Sequence, residues 1–398
     1  MINNYTLSDA CFITTGKLDS NAVVEGGIYP FYTCAAEPTT IDYYDYDDSV
    51  ILIAGNNAQG NFHVNRFTGK FNAYQRTYIL TKKEGHDLDY IYYALKLELK
   101  RLKEKSQGSQ TKFLTMPILN SINLGNRNLL EQQKIANVLS SLDSKIELNN
   151  KINKELEAMS KTLYDYWFVQ FDFPNEHGKP YKSSGGKMVY NQELKREIPE
   201  IWNNIYLDKI IDILNGYAFK SEDYVEYGIF VLRTKNFNEE NITEFLSDDV
   251  YLPNNFEEKY DNYLCQPFDY HLVMVGASVG KTGMIYSHQL PALRNQNMWC
   301  FRPKKKSSIS RGYLKYLVDS LVLEFSNHAT GSARQFYTKD NFKKHPIILP
   351  SDEILKKFEN LHNPIQNKQA NIQKQNQELS KLRDWLLPML MNGQVKVK

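Results

Sequence analysis

The sequence predicts an α+β chain built by duplication: two mixed α/β, β-rich domains joined by two long helices. Three observations predict it. Residues 128 to 168 run 41 positions without Pro or Gly, which is rare outside a long helix. The same region returns without a gap when the sequence is shifted by 223 residues. The intervals on either side break into short apolar segments separated by turn residues, as strands and their connections do.

The first long helix is predicted over Asn128–Phe168. Its apolar side chains fall at Ile135, Val138, Leu142, Ile152, Leu156, Met159, Leu163 and Tyr166. That is the three-four spacing of a narrow seam, with Asn149 at one seam position and Ile146 covering for Lys145 at another. Such a helix is roughly 60 Å long, too long to bury its stripe inside one small domain. It needs a partner helix, and the repeat supplies one. Gly108 and Ser109 meet Gly331 and Ser332; Lys134, Asn137 and Lys145 meet Lys357, Asn360 and Lys368; Leu156 and Leu163 meet Leu379 and Leu386. The second seam, Phe358, Leu361, Ile365, Ile372, Leu379, Leu382 and Leu386, keeps the heptad phase of the first. Register and phase held together over about 56 positions argue for internal duplication. They argue against two unrelated amphipathic helices that share Lys, Asn and Glu.

Taken in order, residues 1–127 form the first domain, with β segments at Gly27–Cys34, Ser49–Ala54 and Thr77–Thr81 and a helix near Leu88–Leu102. The acidic run Asp42–Asp48 reads as a solvated hairpin tip, since it would repel phosphate. Residues 128–170 are the first helix. Residues 171–199 read as a linker, because Pro174, Gly178, Pro180 and Ser183–Gly186 break any periodicity. The second domain spans 200–348 and repeats landmarks of the first at shifted offsets. Asn215-Gly216 answers Thr15-Gly16, Gly228–Leu232 answers the strand at Gly27, Leu272–Gly276 answers Leu52–Gly55, and Arg294–Asn297 answers Asn72–Arg76. The loops between these landmarks differ, so the domains read as two variable modules on a common scaffold. Residues 349–398 hold the second helix, from Pro350 to Met391, and a C-terminal tail. Pro364 predicts a kink or an interrupted turn there, and Pro388 an end or a bend.

Composition sets bounds. A chain of 398 residues, 42% hydrophobic and 24% charged, has the makeup of a soluble globular protein of two or three domains. A formal net charge of +2 names no partner, so any nucleic-acid surface must come from local clustering. Cys11, Cys34, Cys265 and Cys300 form no CxxC pair, which suits a reducing compartment. The first residues carry no signal pattern and no apolar run reaches membrane-spanning length. A cytoplasmic protein with no membrane partner is expected.

Catalytic motifs are sought and not found. Gly276–Thr282 approaches a phosphate loop, but only three residues separate Gly276 from Gly280, and Val275 stands where the first glycine belongs. A tight turn presenting Ser278, Lys281 and Thr282 is the better reading. No Asn-Pro-Pro-aromatic tetrad, cofactor-binding glycine loop or metal-ligand spacing occurs. No catalytic residue and no metal ligand is assigned. What remains is a binding surface. Each Gly-Ser pair is followed by hydrogen-bond donors: Ser109, Gln110, Thr111 and Lys112 in one copy, and Ser332, Arg334 and Gln335 in the other. Arg66, Lys70, Gln75 and Arg76 add to the first domain. Lys220, Arg233, Lys235, Asn236, Lys281 and Arg294 add to the second. Such side chains donate to phosphate oxygens, and Gln and Arg also read base edges. Any one of them alone would be an ordinary solvated side chain; the clustering on both domains carries the reading.

The whole chain resembles the specificity subunit of type I restriction–modification systems. The resemblance rests on Phe171–Trp202, on LLEQQKIANVLSSLDSKIELNNKINKEL in the first helix, on Gly228–Phe237 and Gly331–Gln335, and on LLPMLMNGQV at the C-terminus. One departure is that the first domain begins directly at Tyr5-Thr6-Leu7, without the Pro-x-x-Trp entry seen before the second at Ile198–Trp202. The resemblance implies two target-recognition domains, each reading one half of a split asymmetric site in double-stranded DNA. It implies that the two long helices pack antiparallel in a pseudo-two-fold arrangement and act as a ruler. The helix-packing residues would be Ile135, Leu142, Asn149, Leu156 and Leu163 against Phe358, Ile365, Ile372, Leu379 and Leu386. The subunit would bind no cofactor itself. Two methyltransferase subunits would carry S-adenosylmethionine, and restriction subunits would carry ATP and Mg. The rival reading is a non-catalytic two-module coiled-coil scaffold for protein partners, which predicts no salt-dependent DNA affinity.

Overall fold

The structure, a computed structural model, describes residues 5–56, 62–105, 114–276, 278–327 and 337–397. It divides into two compact units, Met1–Asn149 with Gln375–Lys398, and Asn150–Lys374.

In the first unit a six-stranded sheet runs in the spatial order Cys11–Thr15, Thr77–Lys82, Tyr46–Ala54, Val64–Ala73, Tyr29–Tyr32, Thr39–Ile41. Its pairs are antiparallel except that Tyr29–Tyr32 lies parallel to Val64–Ala73. Ile51, Ile53 and Leu80 face the helix Leu88–Lys105 and pack with its Ile91, Leu95 and Leu99. Val50, Leu52 and Phe71 fill the opposite face, so the stretch Val50–Ala54 of the central strand is apolar and buried on both faces and not alternating. The acidic run is not a hairpin tip. Tyr46–Asp48 already pair with Gly69–Phe71, and the strand before the run, Thr39–Ile41, lies at the far edge of the sheet.

The second unit holds a four-stranded sheet (Ile211–Asn215, Met298–Pro303, Tyr270–Val273, Thr282–Met284) and a three-stranded one (Tyr251–Leu252, Ile229–Leu232, Ala292–Arg294). The duplication persists in its backbone. Ile229–Leu232 lies parallel to Ala292–Arg294, as Tyr29–Tyr32 lies parallel to the end of Val64–Ala73. Gly16 and Gly216 each pass a facing backbone so closely that a Cβ would sit 2.1 Å from the Ala73 carbonyl oxygen or 1.7 Å from that of Asn295. Only glycine fits either crossing.

Residues 171–199 are not a loose linker but part of the second unit. Phe173 stacks between Tyr181 and Trp202, with centroids 4.7 and 4.5 Å away. Met188–Asn191 and Arg196–Pro199 pair as a hairpin. The prolines and glycines there make tight turns, and aromatic stacking supplies the order that local sequence lacks.

The first long helix runs Leu129–Tyr164 and closes in a wide π-helical turn, Asp165–Val169. Asn128 starts it with a capping box: its Oδ1 accepts from the Glu131 N–H at 2.9 Å while Glu131 Oε2 accepts from the Asn128 N–H at 3.2 Å. The second helix runs unbroken from Asp352 to Met391, through both Pro364 and Pro388. Each unit shows the helices antiparallel. In the first, Asp143 meets Arg383 at 2.7 Å and Asn149 meets Asn376 at 2.8 Å. In the second, Glu157 meets Gln369 at 3.2 Å and Tyr164 lies against Phe358.

The seam differs from the apolar reading at four positions. Met159 is 59% exposed, Leu361 51% and Leu382 44%, and Tyr166 also faces outward. The residues that bury instead are Leu139, Asn153, Ser160 and Trp167 in the first helix, and His362, Gln369, Asn376 and Leu390 in the second. With Ile135, Asn149, Phe358 and Ile372, also buried, and the half-buried Leu142, Ile146, Leu156, Leu163, Ile365, Leu379, Arg383 and Leu386, they restore an unbroken three-four alternation. Asn149, Asn153, Ser160, His362, Gln369, Asn376 and Arg383 conceal it from an apolar pattern.

Candidate nucleic-acid interface

The cationic side chains of the first unit sit on the strand Val64–Ala73 and the turn after it. Arg66 is pinned: it pairs with Asp89 at 2.6 Å and lies 5.2 Å over the Tyr92 ring. Burial would lower its pKa, but the Asp89 carboxylate outweighs that and holds it raised. Arg66 therefore ties the strand to the domain helix. Lys70 is exposed, 4.4 Å over the Tyr44 ring, whose hydroxyl raises the ammonium above its ordinary pKa. Gln75 and Arg76 are exposed at the mouth of a cleft shared with Thr15, Gly55, Tyr78 and Leu114. Lys70, Gln75 and Arg76 thus remain available to a ligand.

In the second unit three residues move from the surface to the framework. Arg294 is 1% exposed. Its guanidinium donates to the Asn215 carbonyl at 2.8 Å, the Leu264 carbonyl at 3.0 Å and the Asn262 carbonyl. It acts as an internal brace between strands and loop. Asn236 is buried and donates to the Glu244 carbonyl and to Asp249. Thr282 is buried and accepts from the Tyr270 hydroxyl at 2.8 Å. A buried polar group is there because its hydrogen bonds are made inside. Arg233 is largely internal too, donating to the Asp248 carbonyl and lying 3.4 Å from Asp249.

Lys220, Lys235 and Lys281 each rest on a neighbouring carboxylate, respectively Glu222 at 3.1 Å, Asp248, and Glu239 at 2.7 Å. Surface pairs of this kind hold by about 0–1 kcal/mol, so the ammonium groups remain exchangeable. Ser278 and Lys281 sit in the turn joining Tyr270–Val273 to Thr282–Met284; the Ser278 carbonyl accepts from the Lys281 N–H at 3.0 Å. Gly276 and Gly280, both at positive φ, shape that turn. Ser109, Gln110, Thr111, Lys112, Ser332, Arg334 and Gln335 lie outside the described residues.

Among the described residues one group has metal-ligand chemistry: Asp269, His271 and Cys300, all buried. Asp269 is instead claimed by Arg302 and Arg311, which put two cations beside the position a metal would take. Burial would raise the pKa of Asp269, but Arg302 and its companions hold it low. The group is an internal ion cluster.

A second polar cluster fastens the second domain to its helix, and sequence reasoning missed it. Lys315, on the helix Arg311–Asn327, pairs with Glu157 at 2.6 Å and Asp319 at 3.2 Å. Burial alone would lower the Lys315 pKa; Asp319, Tyr270 and Glu157 keep it well above its usual value. In the first unit the Tyr93 hydroxyl donates to Asp143 at 2.7 Å, and Asp143 also pairs with Arg383. Lys315 also lies 4.2 Å over the ring of Tyr316, which stands 223 positions after Tyr93. That offset was the available signal.

Comparison with known proteins gives a consistent picture. The family model for the type I restriction modification DNA specificity domain matches residues 2–158 and 199–380. The chain is 31% identical over 224 residues to the type I restriction enzyme EcoDI specificity subunit of Escherichia coli, covering 52% of this chain and 48% of that subunit. It is 26% identical over 362 residues to the MjaVIII specificity subunit of Methanocaldococcus jannaschii, covering 88% of this chain and 80% of that one. In fold it is similar to the type I restriction–modification S subunit of M. genitalium, with a TM-score of 0.59 at 17% identity, covering 98% of this chain and 95% of that one.

Proposed function

The chain belongs to the type I restriction modification DNA specificity family, and on that premise we propose that it is the non-catalytic subunit that selects the DNA sequence. Each unit reads one half of a split, asymmetric site in double-stranded DNA, and the paired helices set the distance between the halves. The observation that carries this reading is the duplication: one seam, repeated at an offset of 223 residues, fastened to a β-rich module in each copy. A duplicated reader suits a bipartite site, and a helix pair suits a fixed spacer, because changing the separation of two half-sites also rotates one about the duplex axis.

The surface lysines and Arg76 supply phosphate contacts in this reading, and Gln75 supplies a base contact. Chemistry is left to partners. Methyltransferase subunits, two per chain, carry S-adenosylmethionine, and restriction subunits carry ATP and Mg; the complex works in the cytoplasm. Among the described residues no helix is long and apolar enough to cross a membrane.

The test is a genome-wide adenine-methylation map in a clean host expressing this chain with its cognate methyltransferase. A new split motif, methylated in both halves and absent without this chain, is the expected result. A stable complex that adds no methylation would remove the DNA-reading role. Absence of any complex would favour the protein-scaffold reading.

A further inference from the structure

The strand Val64–Ala73 of the first unit and the strand Ala292–Arg294 of the second each lead into a tight turn, and the two turns repeat one another at an offset of 221 residues. A shared set of backbone hydrogen bonds defines the match. The Tyr74 N–H donates to the Tyr32 carbonyl and the Asn295 N–H to that of Leu232, both at 2.9 Å. The Gln75 N–H donates to the Leu18 carbonyl and the Gln296 N–H to that of Tyr217, both at 2.8 Å. In return Leu18 and Tyr217 donate to the carbonyls of Ala73 and Arg294, and Gly16 and Gly216 to those of Thr77 and Met298. The Arg76 carbonyl accepts from the Gly55 N–H at 2.9 Å, and the Asn297 carbonyl from the Met274 N–H at 2.8 Å. The close crossings at Gly16 and Gly216 belong to this frame.

Two residues of each turn are exposed, Gln75 and Arg76 in one and Gln296 and Asn297 in the other, while Ala73, Thr77, Arg294 and Met298 beside them are buried. Among the described residues none of the four exposed side chains is engaged in a hydrogen bond or an ion pair, whereas Lys220, Lys235 and Lys281 each rest on a carboxylate. A glutamine amide presents a donor and an acceptor side by side, the pattern that matches N7 and N6 of adenine in a major groove. The frame already fixes the backbone beneath each amide, so only the side chain is left to order on binding. The residue after the glutamine differs between the copies. Arg76 puts a cation beside Gln75, but Asn297 is neutral. In the second unit a cation comes instead from Lys281: the Val273 N–H donates to the Lys281 carbonyl at 2.8 Å, next to the Met274 bond to Asn297.

We propose that Gln296 is a specificity-determining residue of the second unit, the counterpart of Gln75 in the first, and that each glutamine reads one adenine in its own half of the site. The inference rests on the DNA-reading role and adds the residue of the second unit and the base that both turns select. An adenine that is methylated has to leave the stack to be reached by a methyltransferase, so the adenine read by each turn is a different one.

The experiment co-expresses the full chain with its cognate methyltransferase and maps adenine methylation for the wild type, Gln75→Ala and Gln296→Ala. Both glutamines are exposed, and thermal melts check that the turns stay folded. Gln296→Met, close to glutamine in shape and without its amide, is the second variant. Loss of a bidentate contact relaxes selection at one base pair by about 5- to 150-fold. The expected result is one A·T position, other than the methylated one, that becomes degenerate in one half for Gln75→Ala and in the other half for Gln296→Ala. A motif unchanged in both Gln296→Ala and Gln296→Met overturns the inference while the DNA-reading role stands. A degenerate G·C position does the same, as does methylation lowered evenly at every site with the motif kept. A wild-type complex that adds no methylated motif overturns the inference together with the reading beneath it.

Discussion

The Asn149 side-chain amide donates to the Asn376 Oδ1 at 2.8 Å, in the buried seam between the two long helices. The duplication relates Asn149 to Ile372 and Asn376 to Asn153. Asn153 is buried as well, yet both of its amide atoms lack a partner among the described residues. One copy of the seam thus keeps a polar pair that the other has half lost. A polar pair at a seam position fixes register at a cost in stability. Asn149→Ala should therefore destabilise the first unit by about 1–2 kcal/mol, and Asn153→Leu should stabilise the second. Urea denaturation monitored by circular dichroism measures both, and a destabilised Asn153→Leu chain would refute the asymmetry.

The helix pair makes a prediction about length. Adding four helical residues between Asn149 and Leu156 lengthens the helix by about 6 Å, close to two base-pair steps of a duplex. The recognised spacer should grow while both half-sites stay the same. Methylation mapping of the insertion variant reads this directly, and an unchanged spacer would sink the ruler.

What was legible in the sequence follows from what local patterns encode. The duplicated helices were legible because their repeat is gapless and because the positions seven apart, Ile135 to Leu163 and Phe358 to Leu386, are apolar apart from Asn149. The intervening positions were not, because Asn153, Ser160, Gln369 and Asn376 are polar residues buried by the partner helix, and only tertiary structure says so. Arg294, Asn236 and Thr282 read as surface donors in the sequence for the same reason. Residue type cannot tell a donor aimed at phosphate from one aimed at an internal carbonyl. The interval at Phe171–Pro199 has the composition of a linker, and its order comes from stacking on Trp202.

That distinction can be measured. Arg294→Ala leaves the carbonyls of Asn215, Leu264 and Asn262 without a donor and should cost roughly 3 kcal/mol or more, with methylation lost as the second unit destabilises. Lys281→Ala removes only an exchangeable surface pair, so stability should stay within about 0.5 kcal/mol. DNA affinity should fall, and the salt dependence of binding should lose about one unit of slope. Fluorescence anisotropy across a salt series, beside thermal melts, separates the two. A Lys281→Ala chain with unaltered salt slope would take Lys281 out of the interface.

Two buried histidines give the second unit a pH dependence. His271 and His362 are both pushed down to about 4, chiefly by burial, with Asp269 and Glu157 respectively pulling weakly the other way. An unfolded histidine titrates near 6.5. As pH falls from 6.5 towards 4, the unfolded chain takes up protons that the folded chain refuses, so stability declines through that window and is constant above it. Each histidine contributes roughly 3 kcal/mol across the full span. Asp269 and Glu157 are both held below their ordinary values, so their own loss of stabilisation comes mainly at the acid end. The span from pH 6.5 to 5 therefore isolates the histidines. His362 stacks on Phe358 at 5.3 Å, and His362→Gln keeps much of its volume without the titration. Denaturation midpoints at pH 7, 6 and 5 should fall less steeply in His362→Gln than in the wild type, and least in the double variant with His271→Gln. Equal slopes in all three chains would show that neither ring carries the effect.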